Sequence, residues 1–373
     1  MKKLLLALFL SAGIVSAAQA QSSVTIYGLL DVGYIGKNLK GSPATATNTL
    51  NSNQFGSSAE SSSRLGFRGT EDLGGGTSAF FTIETGVTPT SSTVSTWNNR
   101  QSFVGLAQKG LGNMAVGTQY GPIHKAVGAT DPGALNNVIG SAIYPAAGTD
   151  GGQLSQDAAY TIRFANSLTA TTERKAGFSF NGIYSMNNQN STQTAANTGG
   201  TLDATAYGLG ADYTLGKFYA TLAYQSVKSV NDSSATASIS STFVGTNTTD
   251  NQLYAGTTYD LGIVKLFAGY TDRKVTSNLN SANQLNRTAQ QIGARGFINS
   301  KIEGWASVGN GKYSAFGVNQ ATANFTAYQL GANYWMSKRT NLYAIAGSTQ
   351  TSSTSTTGAL SGNMYATGIR HTF

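Results

Sequence analysis

The chain has 373 residues and a formal net charge of +8, yet only 11% of its residues are charged, against about a quarter in ordinary soluble proteins. It has no cysteine and, beyond the N-terminal segment, no apolar run of about 18 residues, which excludes a disulfide scaffold and transmembrane helices. The basic residues are scattered rather than clustered on a recognition element, so we expect no nucleic-acid partner.

The first twenty residues have the pattern of a secretory signal peptide. Lys2 and Lys3 precede an apolar stretch, Leu4 to Val15, and residues 18–20 form an A-x-A cleavage motif. We expect residues 1–20 to be removed, leaving one domain over residues 21–373 that begins at Gln21. Removal of two lysines and no acids leaves an expected charge of 22 − 16 = +6.

Alternation of apolar and polar side chains runs through the exported part and predicts β-strands. Over residues 24–34 one face carries no charge, and Asp31 lies on the other. Arg64 and Arg68 likewise alternate with apolar neighbours, and further on the same pattern separates Glu84 and Arg163 from an uncharged face. A charge facing lipid near the middle of a membrane barrel costs about 2–4 kcal/mol, so we expect the uncharged faces to contact lipid and the charged faces to enclose water.

Short connections alternate with long polar ones along the chain. Seven compact links lie near Glu71, Lys109, Leu168, Leu215, Leu261, Asn299 and Lys338. The long links, rich in Ser, Thr, Asn and Gly, cover roughly residues 35–63, 86–99, 121–157, 186–204, 228–250, 274–288, 309–324 and 348–362. Seven short turns join fourteen strands, and one more strand lies at each end. The sequence therefore predicts an all-β, 16-stranded antiparallel transmembrane β-barrel with short turns at one end and long loops at the other.

Aromatic residues lie where the strands would cross the membrane interfaces. Tyr213, Tyr259 and Tyr334 each end a strand before a short turn, whereas Tyr224 and Tyr270 end return strands. This spacing predicts two tyrosine belts at the two headgroup levels.

The last predicted strand, MYATGIRHTF, is amphipathic and ends at Phe373. A C-terminal Phe on such a strand resembles the signal by which barrel precursors are recognised for outer-membrane assembly. We therefore expect the barrel assembly machinery to be a partner.

Several motifs together resemble the general porins of β-proteobacteria, of the Neisseria, Bordetella and Burkholderia type. They are SSVTIYGLLDVGY after the signal, SRLGFRGTEDLGGG at Ser63, NRQSFVGL at Asn99, repeated GA-x-Y hairpins and the terminal GIRHTF. The resemblance extends over the whole exported chain. It implies a general diffusion porin of the Gram-negative outer membrane that passes small polar solutes and ions, contacts outer-membrane lipid and lipopolysaccharide, and forms a homotrimer.

The resemblance also implies that the third external loop folds into the lumen and opposes acids to arginines on the wall. Here that loop would span Gly121 to Asp157. The residues that match this arrangement are the loop acids Asp131, Asp150 and Asp157 and the wall arginines Arg64, Arg100 and Arg163, with Arg68 added by period. The chain departs from the family at Thr118, where members often carry Arg, and its loop holds few acids.

Two interpretations of the arginines remain open. They form a filter with a weak preference for anions, or they merely face water because the lipid face cannot hold them. Asp31 and Glu84 are also expected in the lumen, paired with wall arginines. An adhesin or structural barrel acting through its loops, and a soluble β-sandwich, are alternatives. Neither a catalytic site, a metal site nor a cofactor is expected, because no nucleophile elbow or His/Cys cluster occurs.

Overall fold

The computed structural model describes residues 23–40, 49–92, 100–145, 162–195, 198–232, 234, 237, 246–316, 322–353 and 359–373. The expected signal peptide, Gln21, Asp150 and Asp157 lie outside these residues. In the described part of the chain, no helix is long and apolar enough to cross a membrane.

Strands make up nearly all of the described chain, and one nine-residue helix, α1 (Pro122–Thr130), follows the sixth strand. The strands are β1 (Ser23–Lys40), β2 (Thr49–Ser57), β3 (Arg64–Gly74), β4 (Thr77–Gly86), β5 (Ser102–Gln108), β6 (Gly112–Tyr120), β7 (Arg163–Thr172), β8 (Phe178–Ala195), β9 (Thr198–Leu215), β10 (Phe218–Asn231), β11 (Thr248–Asp260), β12 (Lys265–Ser277), β13 (Gln284–Phe297), β14 (Ile302–Phe316), β15 (Ala323–Trp335), β16 (Thr340–Thr351) and β17 (Leu360–Thr372).

The sheet closes on itself. Each strand from β3 to β17 pairs antiparallel with its neighbour in sequence, and β1 pairs with β17 from Leu29↔Thr372 to Lys40↔Ser361. Closure removes the free first and last strands of an open sheet, whose edges a lipid environment could not satisfy with hydrogen bonds.

The 17 strand segments fill 16 positions around the barrel. The C-terminal half of β1, Val32–Lys40, pairs with β2, and its N-terminal half, Ser23–Leu29, pairs with β3. β2 and β3 therefore form a single barrel strand that is interrupted at residues 58–63. The predicted count of sixteen is confirmed, and the interruption is a feature that the sequence did not indicate.

Side chains divide between the two faces as the alternation predicts. Val24 and Ile26 on β1 are 65% and 61% exposed, as are other large apolar side chains around the outside, whereas Asp31 on the opposite face is fully buried. The outer face is thus apolar, and the inner face holds the charged and amide side chains.

The chain between β6 and β7 packs on the inner face of distant strands. Ile123 and Val127 of α1 contact Tyr254 of β11, and Val138 and Ile139 contact a cluster that includes Tyr343 of β16. Because Tyr254 and Tyr343 belong to strands across the barrel from β6, this segment, residues 121–145, crosses the interior and gives one side of the lumen a packed core.

Several strands run further than the sequence indicated. β8 and β9 contain 18 residues each, so the long loop expected over residues 186–204 is wrong for most of that range. A membrane strand needs only about 9–11 residues. Beyond that length both faces of the hairpin contact water, so its composition is polar on both sides and resembles that of a loop.

Candidate functional site

Four arginines that the sequence selected line one cavity of 730 Å³ inside the barrel. Arg64 and Arg68 lie four residues apart on β3 and therefore point to the same face. Arg100 precedes β5, and Arg163 begins β7. Neighbouring parts of the wall thus bring together residues separated by up to a hundred positions in the sequence.

Glu84 on β4 lies among these arginines, as expected. Its carboxylate is within 3.6 Å of Arg64 Nε, and Arg100 Nε donates to it from the other side. Tyr27 Oη donates a second hydrogen bond to this carboxylate at 3.1 Å. The carboxylate is almost fully buried, so these contacts hold both guanidinium groups against the wall.

Two aromatic side chains, Tyr27 and Tyr120, contact the arginines. Arg100 Nη2 donates to Tyr120 Oη at 2.7 Å, and Arg163 Cζ lies 5.6 Å from the centre of the same ring. Arg68 Cζ lies 5.3 Å from the ring of Tyr27. Cation–π contacts of this kind fix a guanidinium without neutralising its charge. Sequence reasoning missed Tyr27 and Tyr120. The period of β1 places Tyr27 on the face of Asp31, whereas the period of β6 would turn Tyr120 outward with Met114 and Val116, and only the irregular register between Gly117 and Gln119 brings it inside.

The opposite side of the cavity is formed by α1 and the segment that follows it. His124, Leu135, Asn137 and Tyr144 line it there. The ring of His124 stacks on Tyr120 with centroids 4.3 Å apart. Among the described lining residues of this side there is no acid, so here the arginines face neutral groups rather than carboxylates.

The expectation that Asp131 faces the arginines is wrong. Its carboxylate is turned to the far wall, where Gln291 Nε2 of β13 donates to it at 3.2 Å. The backbone N–H of Leu135 donates at 2.8 Å, so Asp131 closes the turn that follows α1, in which Ala134 and Leu135 adopt positive φ. Burial raises the pKa of the Asp131 carboxyl above its usual value.

Asp31 does not pair with an arginine among its described contacts, contrary to expectation. Its carboxylate accepts hydrogen bonds from the backbone N–H groups of Glu60 and Ser61 at 2.8 and 2.7 Å and from Tyr343 Oη at 2.7 Å. The backbone C=O of Asp31 accepts from the N–H of Ser58. Asp31 therefore anchors the break between β2 and β3, a role that its position in the pattern could not reveal.

The electrostatic balance of the cavity is positive. Its described lining has four arginines and one acidic side chain, Glu84, which gives 4 − 1 = +3. His124 adds no charge, because burial, with Arg163, Arg100 and Lys125 nearby, lowers its pKa to about 3. Positive charge in a water-filled passage with low-dielectric walls attracts small anions.

The far wall carries its own ion pairs. Arg273 Nη2 lies 2.9 Å from Asp250, and Arg295 Nε lies 2.6 Å from Glu303. These pairs are neutral overall and partly covered by residues 121–145. Arg287 of β13 is also buried on this wall, where its guanidinium donates to the C=O of Ala142 outside the lining of the cavity. Within the described lining, the arginines near Glu84 carry the net positive charge.

Phe373 lies beside the same cavity at the seam of the barrel. Its backbone N–H and C=O exchange hydrogen bonds of 3.1 Å with Gly28 of β1. A Cβ on Gly28 would lie 2.3 Å from the Phe373 ring, so the ring covers this glycine closely.

Comparisons with known proteins give consistent findings. A family profile described as Gram-negative porin matches residues 5–354. An outer membrane porin protein of Bordetella pertussis is 30% identical, over 92% of this chain and 93% of its own length.

Solved structures show the same architecture. The anion-selective porin from Comamonas acidovorans has a TM-score of 0.70 at 22% identity, over 95% of this chain and 100% of that one. In-vitro folded OmpT of Vibrio cholerae, in its trimer form, has a TM-score of 0.63 at 14% identity, over 94% and 99%. At such identities the likeness concerns the fold.

Proposed function

The chain belongs to the Gram-negative porin family, and we propose that its channel prefers small anions over small cations. Family and fold make it a diffusion channel of the outer membrane, through which small hydrophilic solutes pass passively. They are the family and fold of a channel rather than of an enzyme.

One observation carries the proposed preference: the cavity bears a side-chain charge of 4 − 1 = +3 with no acid on its loop side in the described lining. A passing anion exchanges part of its hydration for the guanidinium groups, whereas a cation meets net repulsion. Glu84 keeps the preference weak, because its carboxylate offsets part of the field of Arg64 and Arg100.

The far side of the lumen directs solutes towards the arginines. Residues 121–145 cover the far wall through Gln291 and Gln329, whose side chains hydrogen-bond to Asp131 and to Asn136. The segment therefore narrows the channel towards the arginine side, where a solute passes close to the charged groups. The Comamonas acidovorans structure bears the description anion-selective, which agrees with the proposal.

The reversal potential of the purified protein in a KCl gradient across a planar bilayer tests the proposal. We expect the sign of an anion-preferring channel, and a shift towards zero in Arg64→Ala, Arg100→Ala and Arg163→Ala. Arg339→Ala, at an exposed periplasmic turn, is the matched control and leaves the potential unchanged. Wild-type preference for cations, or equal potentials in all four variants, would contradict the proposal.

We further propose that export removes residues 1–20 and that the barrel of residues 21–373 forms a homotrimer, as OmpT of Vibrio cholerae does in its trimer form. Outer-membrane lipid, lipopolysaccharide and the barrel assembly machinery are its proposed partners, the last through Phe373. The size of the unheated protein in mild detergent, measured by light scattering, tests the trimer.

A further inference from the structure

The cavity among the wall arginines has an apolar side, which the connection between β6 and β7 forms. Leu135, Tyr144 and Ile162 line the cavity there, and each of them is half-buried. All three pack against the buried cluster that includes Ile123 and Tyr254. We call these three residues the apolar lip. The core that holds this connection inside the barrel thus also presents one edge of its apolar surface to the channel.

The backbone holds Leu135 at the cavity in an unfavourable conformation. Ala134 and Leu135 have φ angles of 54° and 60°, in the left-handed region that is uncommon for residues with a Cβ. The leucine side chain lies along α1, where a Cβ added to Gly128 would be 3.2 Å from its Cδ1 atom. Glycine or asparagine would relieve the strain, yet the position carries a leucine. Strained positions of this kind cluster at sites that contact ligands.

Arg163 offers a positive charge beside the apolar lip. Within the described residues neither Arg163 nor Arg68 forms an ion pair, whereas the other two arginines of the cavity share Glu84. The ring of Tyr120, whose centre lies 5.6 Å from Arg163 Cζ, contacts the guanidinium without neutralising it. Because Arg163 directly follows Ile162, a full positive charge and an apolar surface lie at neighbouring positions of the same cavity.

Asn137, which lines the cavity on the side of the lip, is bound to the wall. Its Nδ2 donates to the C=O of Ser58 at 2.7 Å and to Ser62 Oγ at 3.3 Å. The described lining of this side contains no acid, so the cavity is positive on one side and largely apolar on the other. A solute with a carboxylate at one end and an apolar body at the other matches both sides, because the carboxylate accepts from a guanidinium while the body buries apolar surface.

We propose that this cavity binds aromatic monocarboxylates during their passage, with the carboxylate on Arg163 and the ring against the apolar lip. Its volume of 730 Å³ lies within the range of about 300–1,000 Å³ that small-molecule sites have. A planar ring suits the site better than a flexible alkyl chain, because it pairs with the ring of Tyr144 and loses less conformational freedom on binding. The proposal rests on the anion preference of the channel and adds the class of anion that the cavity holds.

Block of the chloride current through single wild-type channels in a planar bilayer tests this binding. Benzoate, acetate and hexanoate are added as potassium salts at constant ionic strength. We expect benzoate to halve the current at a concentration about tenfold lower than acetate, which has no ring to bury. Hexanoate, which has an apolar body without a ring, is expected to lie between the two. Equal half-blocking concentrations for benzoate and acetate, or a lower one for hexanoate than for benzoate, would overturn the proposal.

Leu135→Asn removes apolar surface from the lip and leaves every charge in place. Asparagine tolerates the positive φ of this position, so the turn keeps its backbone. We expect the preference for benzoate over acetate to fall about fivefold, the change that a loss of roughly 40 Å² of apolar contact gives. Ile162→Thr, which keeps a β-branched side chain where β7 begins, is expected to lower it in the same direction.

Leu279→Asn is the matched control. Leu279 is 54% exposed in the connection between β12 and β13, outside the described lining of the cavity, so the same substitution there leaves the preference for benzoate unchanged. A wild-type preference for benzoate in both Leu135→Asn and Ile162→Thr would overturn the role of the lip. If Leu135→Asn loses the heat-dependent gel shift of a folded barrel, Ile162→Thr and the three anions on wild type still decide the proposal.

The reversal potential of wild type in KCl, measured before any organic anion is added, separates this proposal from the proposed function. Cation preference in KCl contradicts the anion preference itself. Anion preference in KCl, together with equal block by benzoate and acetate, overturns the aromatic class alone and leaves the channel an anion-preferring one.

Discussion

Glu84 shows how one residue sets the strength of the candidate filter. It is the single acidic side chain in the described lining of the cavity, and it contacts Arg64, Arg100 and Tyr27 together. A buried carboxylate with three partners is costly to leave unpaired, so the arrangement fixes two guanidinium groups while cancelling one of four positive charges. Glu84 therefore determines both the positions of these two guanidinium groups and the strength of the positive field in the cavity.

His124 allows a test of the pH dependence. Its folded-state pKa of about 3 lies below the ordinary value of 6.5, so folded protein holds it neutral at every pH above about 3. A protonated His124 would add positive charge to the cavity and strengthen anion preference. We therefore expect wild type and His124→Gln to have the same reversal potential at pH 8 and the same reversal potential at pH 5. A stronger anion preference at pH 5 that disappears in His124→Gln would contradict this assignment.

At the scale of elements, the break between β2 and β3 links the wall to the segment inside the barrel. Ser58 has a φ of 69°, and the chain then leaves the sheet until Arg64. Asn137 Nδ2 donates to the C=O of Ser58 at 2.7 Å, and the N–H of Asn137 donates to the C=O of Ala59 at 2.9 Å. The position of the lumenal segment thus depends partly on the anchor that Asp31 provides.

Replacing Asp31 by Asn tests this dependence. The amide of Asn keeps one acceptor oxygen, but its NH₂ group faces donors that then have no acceptor. We expect this loss to lower the free energy of unfolding by about 2–3 kcal/mol. On gels of samples heated to increasing temperatures, the folded band would convert to the unfolded band at a lower temperature than in wild type. Single-channel currents would fluctuate more, because residues 58–63 would be held less firmly. Asp72→Asn is the control, because within the described residues its carboxylate accepts one hydrogen bond, from the N–H of Gly74 at an exposed turn. Unchanged melting and quiet currents in Asp31→Asn would exclude an anchoring role.

For the whole molecule, the alternation of faces predicted a membrane barrel and placed Arg64, Arg68, Arg163 and Glu84 on its inner face, as follows from the period of a strand and the cost of a charge in lipid. The sixteen positions came from the alternation of short and long connections, and the grouping of the wall arginines came from the family resemblance. The inward side of Asp31 was also correct, but its partners were not. They come from residues 60, 61 and 343, which are distant in sequence and are brought together only by closure and by the break in the second barrel strand.

The loop was predicted less well for a related reason. A carboxylate such as Asp131 can face a wall arginine or close its own turn, and the sequence does not distinguish the two. In the structure Asp131 closes its own turn, because the backbone N–H of Leu135 and the side-chain amide of Gln291 both donate to its carboxylate. Loop conformation depends on such local competition, whereas strand position depends on a repeated pattern with many independent contributions.

Phe373 contributes to closure of the barrel and is also the proposed recognition signal in the cell, and one substitution separates the two roles. The seam uses the backbone N–H and C=O of Phe373, which Phe373→Ala retains, while the ring is 46% exposed. We expect Phe373→Ala to refold in detergent and to show the same heat-dependent gel shift as wild type. In cells, we expect less of it in the outer-membrane fraction, because the assembly signal is lost. Normal accumulation there would reject the signal, whereas failure to refold in detergent would show that the ring over Gly28 is needed for closure itself.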